Sequence, residues 1–299
     1  MAISSPSSAS FYYEHQHHPL SQDINDDEQL VSLFTKEQLQ TLLTCTFDDP
    51  SARKQAVEWI LKVKSHFGFT HLTAIVAINY VDRFVSSFCF QEPCPWMMQL
   101  LAVTCLSLAA KLEQTQVPSL LDLQVDDTNY LFHPKNIQKM ELLVMTTLNW
   151  NMNPITPISF LVHIITRLGL NTHLHRDFVD KCEDLILFLV SDSRFVGYKP
   201  SVVATAAMLH VLDQQVDFFN HVDYQKQLLE AFKTTKEKVK ECNKMIVEVS
   251  HSSSFNLKKR KFEENEIISS SAPSSSSYRS SSEHHHGQPL VKKPAITIP

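Results

Sequence analysis

Apolar residues recur through the middle of the chain at spacings of three and four, and successive runs of this kind predict a stack of helices. Leu30, Val31, Leu33, Phe34, Leu39, Leu42 and Leu43 outline a short amphipathic N-terminal helix. The next begins after Pro50 and sets Ala56, Trp59, Ile60, Val63 and Phe67 on one face, until Gly68 stops it. A third covers about 72–87, through Leu72, Ile75, Val76, Asn79, Val81 and Phe84. A fourth opens near Pro95, a good first-turn residue, and runs to about Glu113. It is apolar nearly all round, so other helices should surround it, and its small Ala102, Ser107, Ala109 and Ala110 would let them come close. A fifth follows Pro134, runs through Glu141 and ends near Leu148. Asn153-Pro154 and Thr156-Pro157 then break the pattern and mark a boundary.

The second part repeats the theme, with helices expected at about 157–168, 173–192, 200–214, 222–231 and 234–248. Each part holds a largely apolar third helix opening near a proline, at Trp96 and at Ser201. The reading is all-α: two five-helix units in tandem, 29–153 with a preceding helix and 154–250, between biased tails. Residues 1–28 form an acidic lead-in without Lys or Arg, read as disordered. Residues 251–299 are Ser-rich and cannot bury enough apolar surface to offset their ordering entropy.

Composition narrows the chemistry. The chain has 299 residues and 4 glycines, which leaves no room for a phosphate-cradling loop or a series of tight hairpins. Net charge is −5, not that of an obvious nucleic-acid binder. None of the 6 cysteines forms a C-x-x-C pair, and they read as reduced thiols of an intracellular protein. The charge-free run from Pro93 to Ala110 falls short of a membrane span and reads as a core helix, and the N-terminus shows no targeting pattern. Asp126-Asp127-Thr128-Asn129 resembles an Asp-rich Mg²⁺ motif of prenyl-chain enzymes, but no second acidic cluster supports it, and a turn with N-cap residues is the better reading. The His runs at 15–18 and 284–286 have no Cys/His spacing around them. No catalytic group, metal site or cofactor is therefore expected.

Four segments resemble the cyclin box: Ala52-Arg-Lys-Gln-Ala-Val-Glu-Trp-Ile-Leu61, Ala77-Ile-Asn-Tyr-Val-Asp-Arg-Phe84, Leu100 through Glu113, and Ile137-Gln-Lys-Met-Glu-Leu-Leu143. The five positions that characterise the box are present, in order, as Arg53, Asp82, Leu100, Lys111 and Glu141. Gln116 to Val125, Thr156 to Phe160 and Ser191 to Tyr198 resemble plant D-type cyclins in particular.

The resemblance implies two tandem five-helix cyclin-box domains and a non-catalytic subunit that pairs with a cyclin-dependent kinase as a heterodimer. It implies that Arg53 and Asp82 pair and tie the first box helix to the second. It also implies that Lys111, Glu113 and Glu141 lie on the gripping surface, with the Lys and Glu bonding the kinase backbone. Promotion of the G1/S step, kinase inhibitors as further partners and a retinoblastoma-related substrate are likewise implied. Two features depart from the family. The nearest approach to L-x-C-x-E is Leu43-Thr-Cys-Thr-Phe47, with Phe in place of the carboxylate. The substrate-docking patch keeps Arg53, Trp59, Met98 and Gln99 but has Ala52, Gln55 and Ala56 where large apolar residues are usual, so weaker docking is expected.

Lys258-Lys259-Arg260-Lys261 reads as a nuclear import signal, placing the protein in the nucleus with cytoplasm as second location. Ser/Thr-Pro pairs occur at Ser5 and Thr156. The rival reading is a double cyclin-fold transcription-factor scaffold that binds DNA. Residues 29–250 hold 20 Lys and Arg against 23 Asp and Glu, a net of −3, which argues against the basic face such a scaffold needs.

Overall fold

A computed structural model describes residues 22–40, 50–88, 94–114, 116–124, 130–161, 172–215 and 236–250. The helices are α1 (Gln22–Leu39), α2 (Pro50–Phe67), α3 (His71–Phe88), α4 (Pro95–Glu113), α5 (Pro134–Thr147), α6 (Thr172–Ser191), α7 (Pro200–Gln215) and α8 (236–250), with a helical stretch at 157–161 and a 3₁₀ turn at Ser193–Phe195. Four of them open on a proline, whose missing N–H falls where a helix has no partner to offer it. Gly68 takes a φ of 66° after α2, the left-handed conformation that ends a helix without a Cβ clash.

Helix α4 is the axle of the first unit. It packs against α2, α3 and α5, and every residue from Leu100 to Ala110 is buried. By length and composition it could cross a membrane, but the other helices bury it instead. Ala102, Ser107, Ala109 and Ala110 have no exposed surface, so the neighbouring backbones close in on a narrow core. Around it Ile60, Val63, Tyr80, Phe84, Phe132, Ile137 and Val144 complete one cluster. A second cluster joins Ile158, Phe160 and Leu161 to α6, α7 and α8. Leu72, Leu187 and Val190 pack against both, so the units share a seam.

Helix α1 begins at Gln22, inside the segment expected to be disordered, and it packs on the second unit rather than the first. Leu30 joins the second core, and Phe34 lies 5.2 Å from Phe160, ring to ring. Glu37 is buried and caps α7: its Oε1 accepts from the Ser201 N–H at 2.6 Å and its Oε2 from the Ser201 hydroxyl at 2.8 Å. A carboxylate there meets both the unsatisfied N–H groups and the positive end of the helix dipole. The link between units is pinned as well. The Tyr80 hydroxyl donates to the Met152 carbonyl, Arg83 to that of Asn151, and the Ile155 N–H to the Gln40 side chain. Burial and the nearby Glu113 carboxylate push the Tyr80 phenol well above its ordinary range, so it stays a donor.

The expected helix at 222–231 and residues 1–21 and 251–299 of the two tails lie outside the described residues, as do Leu43 to Phe47, Asp126 to Asn129 and Lys258 to Lys261. Cys94, Cys105, Cys182 and Cys242 are free thiols. Among the described residues no group of three or more His, Cys, Asp or Glu side chains is arranged to hold a metal.

Candidate partner-binding face

Lys111 closes the last turn of α4, where the helix dipole favours a cation. Glu141 lies in the middle of α5, 30 residues away. The two meet. The Lys111 ammonium donates to Glu141 Oε1 at 2.6 Å and Oε2 at 2.8 Å, and the Ser107 hydroxyl, one helical turn before Lys111, donates to Oε1 at 2.7 Å. Their exposures differ sharply: 43% of the Lys111 side chain is open to solvent against 9% for Glu141. Glu141 is therefore a buried anchor that aims the ammonium outward. An ammonium has three N–H donors, and two go to Glu141, so one remains for solvent or a partner.

Large apolar side chains stand open nearby along the chain. Leu112 follows Lys111, and Leu142 and Leu143 follow Glu141, each 43% exposed or more. Val117 and Leu121 in the segment after α4, and Leu131 before α5, are exposed too. Trp150, just past α5, is 63% exposed, and both it and Asn149 have positive φ, at 58° and 52°. Asn tolerates this conformation; a bulky aromatic rarely adopts it. A strained, exposed tryptophan does not serve the core, and such strain concentrates at functional surfaces. Trp150 is absent from the residues expected at the gripping surface; an aromatic beside Asn before the Pro-rich break carries no signal beyond a turn.

Two expectations are corrected. Glu113 does not join the pair: two residues after Lys111 it points about 200° round the helix. It lines an open cleft with Lys36, Leu39, Leu72 and Ile155, and burial pushes its carboxyl above the usual range. The four residues of the expected docking patch do not form an open surface. Arg53, Trp59 and Met98 are buried, and the Gln99 amide nitrogen is sealed from solvent. Arg53 is instead committed to Asp82 on α3 and to the carbonyls of Val190 and Ser191 on α6. Thr156, of the Thr-Pro pair, is buried as well. Leu100 sits in the first core at 2% exposure.

Comparison with known proteins matches residues 13–153 to the family "Cyclin, N-terminal domain" and residues 155–281 to "Cyclin, C-terminal domain". Cyclin-D3-1 of Arabidopsis thaliana is 53% identical over 233 residues, 77% of this chain and 61% of that protein. Cyclin-D3-2 of the same plant is 48% identical over 229 residues, 75% of this chain and 62% of the relative. Cyclin-D2-2 of Oryza sativa subsp. japonica is 40% identical over 199 residues, 66% and 55% of the two chains. The chain spans about three fifths of the length of the first two of these relatives. An X-ray structure of a viral cyclin from herpesvirus saimiri superposes with a TM-score of 0.61 at 14% identity, covering 73% of this chain and 96% of the other. That likeness is one of fold.

Proposed function

The chain belongs to the cyclin family, and from that premise we propose that it is a regulatory subunit that binds a cyclin-dependent serine/threonine kinase and switches it on. The observation that carries this reading is the Lys111–Glu141 pair: two helices converge to hold one ammonium at the surface, and the same two helices and the turn after the second leave Leu112, Leu142, Leu143 and Trp150 exposed. A fixed charge with open apolar side chains on the same elements suits a specific protein contact better than a solvated face does. We expect an interface of roughly 2,000 Å² or more, as in other stable signalling complexes.

A protein kinase needs the lysine of its third strand paired with the glutamate of its αC helix, and its activation loop clear of the cleft. A partner that binds the αC-in arrangement far better than the αC-out one shifts the population toward the active state, and no chemistry of its own is required. On this reading Lys111 hydrogen-bonds kinase backbone and Glu141 is a positioning residue. Promotion of the G1/S step, a retinoblastoma-related substrate, kinase inhibitors as further partners and a nuclear location through Lys258 to Lys261 belong to the same proposal, supported by the similarity to plant D-type cyclins.

The test is co-purification of the full chain with a plant cyclin-dependent kinase, followed by histone phosphorylation. Lys111→Ala should lose the kinase and its activity while keeping the helical circular dichroism of the parent. Retained co-purification sinks the proposal.

A further inference from the structure

A serine or threonine inside a helix commonly returns its hydroxyl proton to the carbonyl one turn back. Thr104 of α4 does so, to Leu100 at 2.7 Å, and so do Thr146 of α5, Ser191 of α6 and Thr205 of α7. Ser107 differs. Its single proton crosses to α5 and goes to Glu141 Oε1 at 2.7 Å. Ser107 has no exposed surface and the Glu141 side chain keeps only 9% of its own, so this bond is closed off from water.

The bond bears directly on Lys111. Ser107 and Lys111 stand four residues apart on one face of α4, and both donate to the same carboxylate oxygen, at 2.7 and 2.6 Å. Oε2 takes the ammonium alone, at 2.8 Å. Without the hydroxyl, the buried Oε1 would keep one donor, carried at the end of a flexible four-carbon stem. The carboxylate would then swing toward water or draw the ammonium inward, and either movement displaces the charge that the surface presents. We propose that Ser107 is a positioning residue of the partner-binding face: it locks the Glu141 carboxylate, so that the Lys111 ammonium is held in one place before a partner arrives.

Such holding shows in affinity before it shows in the fold. A lysine side chain that is already ordered has little freedom left for docking to remove. The helix itself does not depend on the hydroxyl, since alanine is the best helix former and already occupies positions 109 and 110 of α4. The benefit to kinase binding rests on the proposed function; the order of the ammonium in the free chain does not.

Two measurements on the full chain test it. With lysine labelled by the heavy nitrogen isotope, the Lys111 ammonium resonance is identified by its loss in Lys111→Arg, and its hydrogen exchange with water reports how firmly the group is held. Ser107→Ala should quicken that exchange about 5-fold, the weight of one hydrogen bond. In surface plasmon resonance it should weaken binding to an immobilised plant cyclin-dependent kinase about 3- to 10-fold, the effect of one side chain left to be ordered on docking. Ser107→Cys restores the bulk but only a weak donor, and should resemble the alanine variant in both. Unchanged exchange in Ser107→Ala, or full recovery in Ser107→Cys, overturns the proposal and leaves Ser107 as packing. Faster exchange with unchanged affinity upholds the hold on the ammonium and overturns instead the reading that Lys111 meets the kinase. If Ser107→Ala does not fold, Ser107→Cys decides: faster exchange and weaker binding support the proposal, and no change in exchange overturns it.

Discussion

Arg53 and Asp82 are joined by two parallel hydrogen bonds, Nε to Oδ1 at 2.8 Å and Nη2 to Oδ2 at 2.9 Å, with 1% and 6% of their side chains exposed. The same guanidinium donates from Nη1 to the Ser191 carbonyl at 2.8 Å and from Nη2 to that of Val190 at 2.9 Å. Those carbonyls belong to the last turn of α6, where a helix leaves its C=O groups unmet and its dipole favours a cation. One side chain thus fastens α2 to α3 and both to the second unit. Burial pushes the Asp82 carboxyl up and Arg53 pulls it back down, so removing Arg53 would strand an acid with no compensation.

From this arrangement, Arg53→Ala should cost about 3–5 kcal/mol of unfolding free energy. Arg53→Lys should recover little, since an ammonium is a point charge that cannot reproduce the planar fork facing Asp82 while reaching two carbonyls. Urea unfolding at neutral pH measures both. A loss below about 1 kcal/mol for the alanine variant would mean that the pair is replaceable by water.

The Glu37 cap on α7 gives a second expectation. Glu37→Ala leaves the buried Ser201 N–H and hydroxyl without their acceptor and removes a negative charge from a helix N-terminus. It should cost about 1–3 kcal/mol and loosen α1 from the second core, which limited proteolysis between α1 and α2 would show. Ser201→Ala keeps the N–H bond to Oε1 and should cost less. An order reversed between the two would place the main contribution in the hydroxyl and not in the cap.

Much of this fold was legible because prolines punctuate it. Pro50, Pro95, Pro134 and Pro200 each open a helix in the structure, and each stands at an expected start. The face of α1 was legible too, but not its destination, since periodicity shows that Leu30, Leu33 and Phe34 are buried and not against what. Its start at Gln22 was hidden because 22–28 is polar throughout, and no apolar stripe marks that turn. The contact between Lys111 and Glu141 spans 30 residues, beyond any local pattern; the resemblance put the two on one surface but had each bonding the kinase backbone, not each other. The same resemblance put Glu113 beside them, and helix geometry turns it away. Arg53 was read twice, as a structural tie and as docking surface; its burial leaves the tie.

Trp150 is the residue that separates a binding face from a merely charged helix end. Trp150→Ala removes an exposed side chain and keeps the Cβ that sets the cost of a positive φ, so the thermal midpoint should change little. Kinase affinity should fall about 10-fold or more, as for other aromatic anchors. Surface plasmon resonance with the immobilised kinase separates the two effects. Unchanged affinity would remove Trp150 from the proposed interface and leave its strain without a use.

The last expectation concerns Glu113 and follows from sign alone. Burial raises its carboxyl above the usual value, so the folded state binds this proton more readily than the unfolded chain does. At neutral pH the ionised group therefore weakens the fold, and the cost is relieved as pH falls through the raised value. Lys36 lines the same cleft, but burial is what shifts the acid. Glu113→Gln should then raise the thermal midpoint at pH about 7.5 and leave it nearly unchanged at pH about 4, where the parent is itself largely protonated. A midpoint that drops at neutral pH would mean that the carboxylate earns its place through a contact with Lys36 or the linker. In that case charge would tie α1 to the end of α4 across the cleft, and the cleft would not merely tolerate it.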